Sequence, residues 1–133
     1  MDLQESVDFV GAHLANQKVK SMKGISCAYL DKKGNKCAVG CLLPQDHKMM
    51  NYFSGVDDLI MRYDKDVPEV IRENVYLFDG LQCFHDTAFK RLRLNRLEIL
   101  KEEFPKINFN KDYEKWCEYG ELKLWKWESK TKG

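Results

Sequence analysis

The chain has 133 residues, 44% of them apolar, 12% aromatic and 32% charged, and its formal net charge is +1. That length and apolar share suit a single domain with its own core. The near balance of charge excludes a broadly acidic DNA mimic and a broadly basic nucleic-acid coat, leaving only local patches.

Residues 2–16 read as a helix. Leu3, Val7, Val10 and Leu14 form one apolar stripe, and Asp2 with Glu5 has the spacing of a capping box. The polar, basic run "NQKVKSMKG" then reads as a loop. Residues 25–31 and 36–43 are short, apolar and strand-like, and "KKGN" lies between them. Gly34 and Asn35 tolerate positive φ, so this is a hairpin signal. Its register is open: one loop length pairs Leu30 with Cys37, another sets Cys27 opposite Cys41. Pro44 ends the second strand.

Residues 45–66 read as a surface excursion with one short helix near Val56–Arg62. Pro68 has the place of a first helical residue. Ile71, Val75, Phe78, Leu81, His85, Ala88 and Leu92 then hold helical spacing across Gly80. They predict one long helix weakened at Gly80, or two helices meeting there. Asn95 with Glu98 offers a second capping box, and Pro105 stops the helix carrying Leu97, Leu100 and Phe104. "KDYEKWCEYG" predicts a last short helix, "ELKLWKW" an edge strand and 128–133 a frayed tail. The expected architecture is α+β: a small antiparallel hairpin or sheet packed against three to five helices. Residues 1–127 would form one domain.

No window is apolar enough to span a membrane, and the acidic start does not read as a signal peptide. Five cysteines make an odd count. Free thiols in a reducing cytoplasm are the simplest reading, so the expected location is cytoplasmic.

At "CAYLDKKGNKCAVGCLLP" the chain resembles a family of small bacterial and phage proteins. The residues concerned are Cys27, Tyr29, Gly34, Cys37 to Gly40 and Pro44, followed by Leu81, Gln82, His85 and Asp86. The resemblance covers about a third of the chain. It implies a bacterial or phage cytosolic protein, present in the bacterial cell or the infected host, and carries no activity with it.

Four chemistries compete for these residues. Cys27, Cys37, Cys41 and His47 give a C-x9-C-x3-C-x5-H spacing, looser than structural zinc knuckles. In a strand, Cys37 and Cys41 would stand roughly 13 Å apart, at about 3.3 Å per residue, too far for one ion unless the chain bends at Gly40, as a glycine allows. Neither a metal nor another cofactor is therefore expected. A small enzyme or ligand site would gather Tyr29, Cys37, Cys41 and His85. Asp86 follows His85 directly, about 100° around a helix, and is badly placed to orient it. A nucleic-acid surface would use Lys90, Arg91, Arg93, Trp125 and Trp127, cations interleaved with stacking aromatics. A protein-contact patch would use Met49, Met50, Tyr52 and Phe53, which follow no clear stripe. The preferred reading is the last: a regulatory protein that acts by occupying a protein partner, such as a phage factor engaging a host protein, and not an enzyme.

Overall fold

Asp2 opens helix α1 (Leu3–Gln17). Its carboxylate accepts the Glu5 N–H at 2.8 Å, and the Glu5 carboxylate accepts the Asp2 N–H at 3.2 Å. The two bonds satisfy donors that a helix start leaves open, as the sequence predicts. Val7, Val10 and Leu14 are fully buried on the expected stripe. Lys18, in a left-handed conformation with φ of 65°, closes the helix. The computed structural model describes residues 1–23, 26–27, 29–44 and 55–119, with the backbone alone at 22–23 and 26–27.

After α1 the chain does not form the expected hairpin. Met22–Lys23 (β1) pairs antiparallel with Ser26–Cys27 (β2), and a single bridge joins Leu30 to Lys36. The reversal does fall at Gly34, which takes φ of 86°. Asp31 holds that turn. Its carboxylate accepts the Lys33 N–H, the Asn35 N–H and the Asn35 amide at 2.9, 2.9 and 3.1 Å.

No strand follows the turn. Residues 37–43 coil into a tight 3-10 turn at Gly40–Leu42. The cause is a close approach: a Cβ on Gly40 would stand 2.1 Å from the Tyr29 carbonyl oxygen. The segment's backbone groups are satisfied locally and by the side chain of Gln82. Cys41 N–H donates to Cys37 O at 3.2 Å, Gly40 N–H to Cys37 Sγ at 3.3 Å, and Val39 N–H to Gln82 Oε1 at 2.9 Å. Leu30 therefore faces Lys36 and not Cys37, and Cys27 faces Met22 and not Cys41. The α+β expectation is corrected. The fold is helical, and its described strand pairing is too slight to form a layer.

Helix α2 (Val56–Tyr63) lies where the sequence places it and buries Val56 and Leu59. Pro68 caps α3 (Glu69–Arg72) from one position outside. Helices α4 (Val75–Asp86) and α5 (Lys90–Glu103) follow, then α6 (111–119). The stripe from Ile71 to Leu92 is thus shared among three helices. It breaks at residues 73–74 and 87–89, not at Gly80. Gly80 sits inside α4 where a Cβ would stand 2.8 Å from Leu100 Cδ2, so the glycine serves α4–α5 packing. Asn95 is interior to α5 and caps nothing. Phe104, with Pro105 next, ends α5 as expected.

α1 ties this succession together. The Gln4 amide donates to Asn108 O at 2.8 Å and accepts the Asn108 N–H at 2.9 Å. Tyr113 of α6 donates its hydroxyl to Val7 O at 2.6 Å, and its ring lies where a Gly11 Cβ would be, at 2.7 Å. Val7, Leu14, Phe78, Leu81, Phe84, Tyr113 and Trp116 form the centre of the core. Among the described residues no helix is long and apolar enough to cross a membrane. The expected edge strand at 121–127 and the tail at 128–133 lie outside the described residues.

Candidate functional site

The close approach at Gly40 fixes the first group of candidates. Tyr29 and Cys37 are buried, and Cys41 is half-buried. The Cys41 thiol donates to Ala38 O at 3.2 Å. Burial pushes that thiol up to about 12, against the pull of the Lys36 charge, so it is protonated near neutral pH and is a weak nucleophile there. His85 is fully buried on α4. Its Nε2 accepts the Ser21 N–H at 3.2 Å, and its ring stacks on Trp116, centroids 5.4 Å apart and planes 10° apart. The turn that holds Cys37 and the helix that holds His85 meet instead through Gln82 and Val39.

The basic candidates are divided. Arg93 faces the core and is fully buried, with its guanidinium carbon 4.3 Å from the Trp116 ring centre. Its Nη1 donates to Trp116 O at 2.7 Å and its Nε to Thr87 O. Burial pulls the Arg93 guanidinium down to about 10, with Cys117 and Asp86 opposing. Arg93 thus joins α5 to α6 and is withdrawn from any phosphate-facing patch. Lys90 pairs with Glu118 at 2.6 Å, and Arg91 is exposed. Trp125 and Trp127 lie outside the described residues, as do Met49, Met50, Tyr52, Phe53 and His47.

Sequence reasoning missed Trp116, the residue on which both His85 and Arg93 stack. A signal was present: its i, i+3 spacing from Tyr113 places it on α6's apolar face. Among the described residues, Arg93 Nη2 and Trp116 Nε1 are buried without a hydrogen-bond partner. No three His, Cys, Asp or Glu side chains among the described residues gather as a metal site.

A site that the sequence did not suggest opens where the start of α1, the 3-10 turn and α3 converge. It is a cleft of ≈ 620 Å³. Leu3, Phe9, Leu42, Pro68 and Val70 give it apolar walls, while Asp2, Glu69 and Glu73 give it carboxylates. Met1, Ser6, Cys41 and Asn74 complete the lining, and no Lys or Arg side chain is among the described residues that line it. Glu69 and Glu73 stand one helical turn apart. The Glu73 carboxyl is raised above its ordinary value by its hydrogen bond to Glu69 and by the Glu69 charge, with a lesser effect of burial; Arg72 opposes the shift. Glu73 therefore holds its proton more readily than an isolated carboxylate would. Phe9, 43% exposed, also borders a neighbouring depression of ≈ 460 Å³ lined by Ala12, His13, Asn16 and Gln17.

Comparison with protein-family models, with curated proteins and with solved structures finds no match.

Proposed function

We propose that the protein acts by binding another protein, as a small regulatory module and not as a catalyst. The observation that supports this is the make-up of the cleft. Its size lies in the range of ligand-holding pockets, roughly 300–1,000 Å³. Apolar walls with carboxylates and no Lys or Arg side chain among the described lining residues suit a segment that presents an apolar side chain beside a positive charge. Glu69 and Glu73 meet that charge, and Phe9 and Leu42 meet the apolar group. The resemblance to small bacterial and phage proteins makes a host protein the partner to seek.

The test is affinity capture of the tagged protein from host lysate, with mass spectrometry, beside a charge-reversed cleft. Glu69 and Glu73 are exposed, so Glu69→Lys with Glu73→Lys should leave the melting curve nearly unchanged. Loss of a specific partner, by tenfold or more, is the expected result. The Met49, Met50, Tyr52 and Phe53 run is kept as a second contact of the same partner. Met50→Asp with Phe53→Asp should then weaken capture as well. A partner captured equally by wild type and both double variants would sink the proposal.

A further inference from the structure

We propose that two copies of this chain pair antiparallel through the outer flank of α5. Helix α5 buries Arg93, Leu97 and Leu100. Phe89, just before it, and Leu92 and Ile99 remain 50%, 49% and 42% exposed. At about 100° per residue, these three fall with Arg96 and Glu103 on one flank of the helix, beside its buried line. Exposed apolar side chains scattered singly need no explanation. A row of three along one flank does.

Charge identifies the occupant. Arg96 and Glu103 are both exposed, and neither has a salt bridge among the described residues. They stand seven residues apart, roughly 10 Å along the axis, too far to pair within one helix. In an antiparallel two-fold pair centred between Ile99 and Leu100, each Arg96 meets the other copy's Glu103. Ile99 then packs on Ile99, and Leu92 reaches the stretch after α5, where Phe104 and Ile107 are partly buried against the core. A parallel pair would set Arg96 against Arg96. An acidic partner would answer Arg96 alone and a basic one Glu103 alone; a second copy answers both. The flank is separate from the cleft, none of whose lining residues belongs to α5.

Sedimentation equilibrium on the full chain tests this, with circular dichroism melts as the control for folding. A concentration-dependent dimer is expected. Ile99→Asp should weaken it by about a hundredfold, since a charge would be desolvated at the centre. Arg96→Glu should weaken it about tenfold, and Arg96→Glu with Glu103→Arg should restore it to within about threefold. If Ile99→Asp unfolds, the charge variants decide, because both positions are exposed. Glu69→Lys with Glu73→Lys should leave the dimer intact, which separates this proposal from that for the cleft. A monomeric wild type at millimolar concentration, a dimer indifferent to Ile99→Asp in its folded state, or a charge swap that fails to restore pairing would each overturn it.

Discussion

Gly34 and Gly40 share one loop and answer to different constraints. Gly34 needs its backbone: φ is 86°, yet nothing lies within 4 Å of where a Cβ would stand. Gly40 needs its missing side chain, because the Tyr29 carbonyl occupies that space at 2.1 Å. The left-handed strain of a substitution at Gly34 costs about 1–2 kcal/mol. At Gly40 two stretches of backbone must part, which costs about 3 kcal/mol or more and opens the packing of Tyr29. Gly40→Ala should therefore destabilise the protein clearly more than Gly34→Ala in urea melts. The reverse order would mean that the turn does not clamp Tyr29. The sequence marked Gly34 as special through its turn neighbours. Nothing local identifies what Gly40 packs against, since the oxygen it accommodates belongs to a residue eleven positions upstream.

The thiols extend the residue-scale account. Cys83 is exposed, whereas Cys37 and Cys117 are buried. Burial pushes the Cys117 thiol up to about 11, with the Arg93 charge opposing, and the Cys41 thiol up to about 12. Only thiolate attacks an alkylating reagent. Timed alkylation near pH 8, read by peptide mass spectrometry, should mark Cys83 well before Cys37, Cys41 and Cys117. Early labelling of Cys41 would restore a reactive thiol beside the cleft and weaken the non-catalytic reading.

At the scale of elements, the ends of helices decided what could be read in advance. α1 announces itself through Asp2 and Glu5, and α5 stops at Phe104–Pro105. The breaks at residues 73–74 and 87–89 carry no glycine or proline. Side chains close them: Asn74 Nδ2 donates to Val70 O at 2.9 Å, and Thr87 Oγ1 donates to Cys83 O at 2.7 Å. Because the apolar phase continues across both breaks, periodicity alone reads one helix where there are three. The missing strand has a similar cause. Short apolar runs such as "KCAVGCLL" fit a strand or a tight turn equally until their packing partner is known.

A second element-scale link is the join between α1 and the Asp31–Asn35 turn. The Gln17 amide acts as a one-residue strand edge. Its Oε1 accepts the Lys36 N–H at 2.7 Å, and its Nε2 donates to Lys36 O and Val19 O, each at 2.8 Å. Gln17→Ala leaves the partly buried Lys36 N–H without that acceptor, which costs about 1–3 kcal/mol. Asn16→Ala, on the exposed neighbour, should cost less than about 0.5 kcal/mol. Comparable losses for the two, measured by denaturant melts, would remove the strand-edge role.

Across the whole molecule, α1 is the column on which both halves of the chain rest. It holds residues 108–113 through Gln4 and Val7, and the Lys36 turn through His13 and Gln17. One titration should therefore be felt by the entire fold. His13 Nε2 lies 2.8 Å from Lys36 O. Burial lowers its pKa below the ordinary 6.5; the bond to the Lys36 carbonyl opposes that shift, and the Lys36 charge adds to it. A lowered value means that the unfolded chain takes up this proton first as pH falls. Between 6.5 and the lower folded value the unfolded state binds more protons, so stability declines with falling pH. Glu73 acts with the opposite sign. Its raised carboxyl makes the native state bind the proton first, in a window beginning at 4.5 and extending upward. The melting temperature should thus fall from about pH 7.5 to about pH 5.5. His13→Gln, which does not titrate there and keeps an amide donor for Lys36 O, should flatten that slope. Glu73→Gln should leave the His13 decline in place and make it slightly steeper. A wild type as stable at the lower pH as at the higher, or an acid slope unchanged in His13→Gln, would show that the junction between α1 and the Lys36 turn does not bear on the stability of the whole.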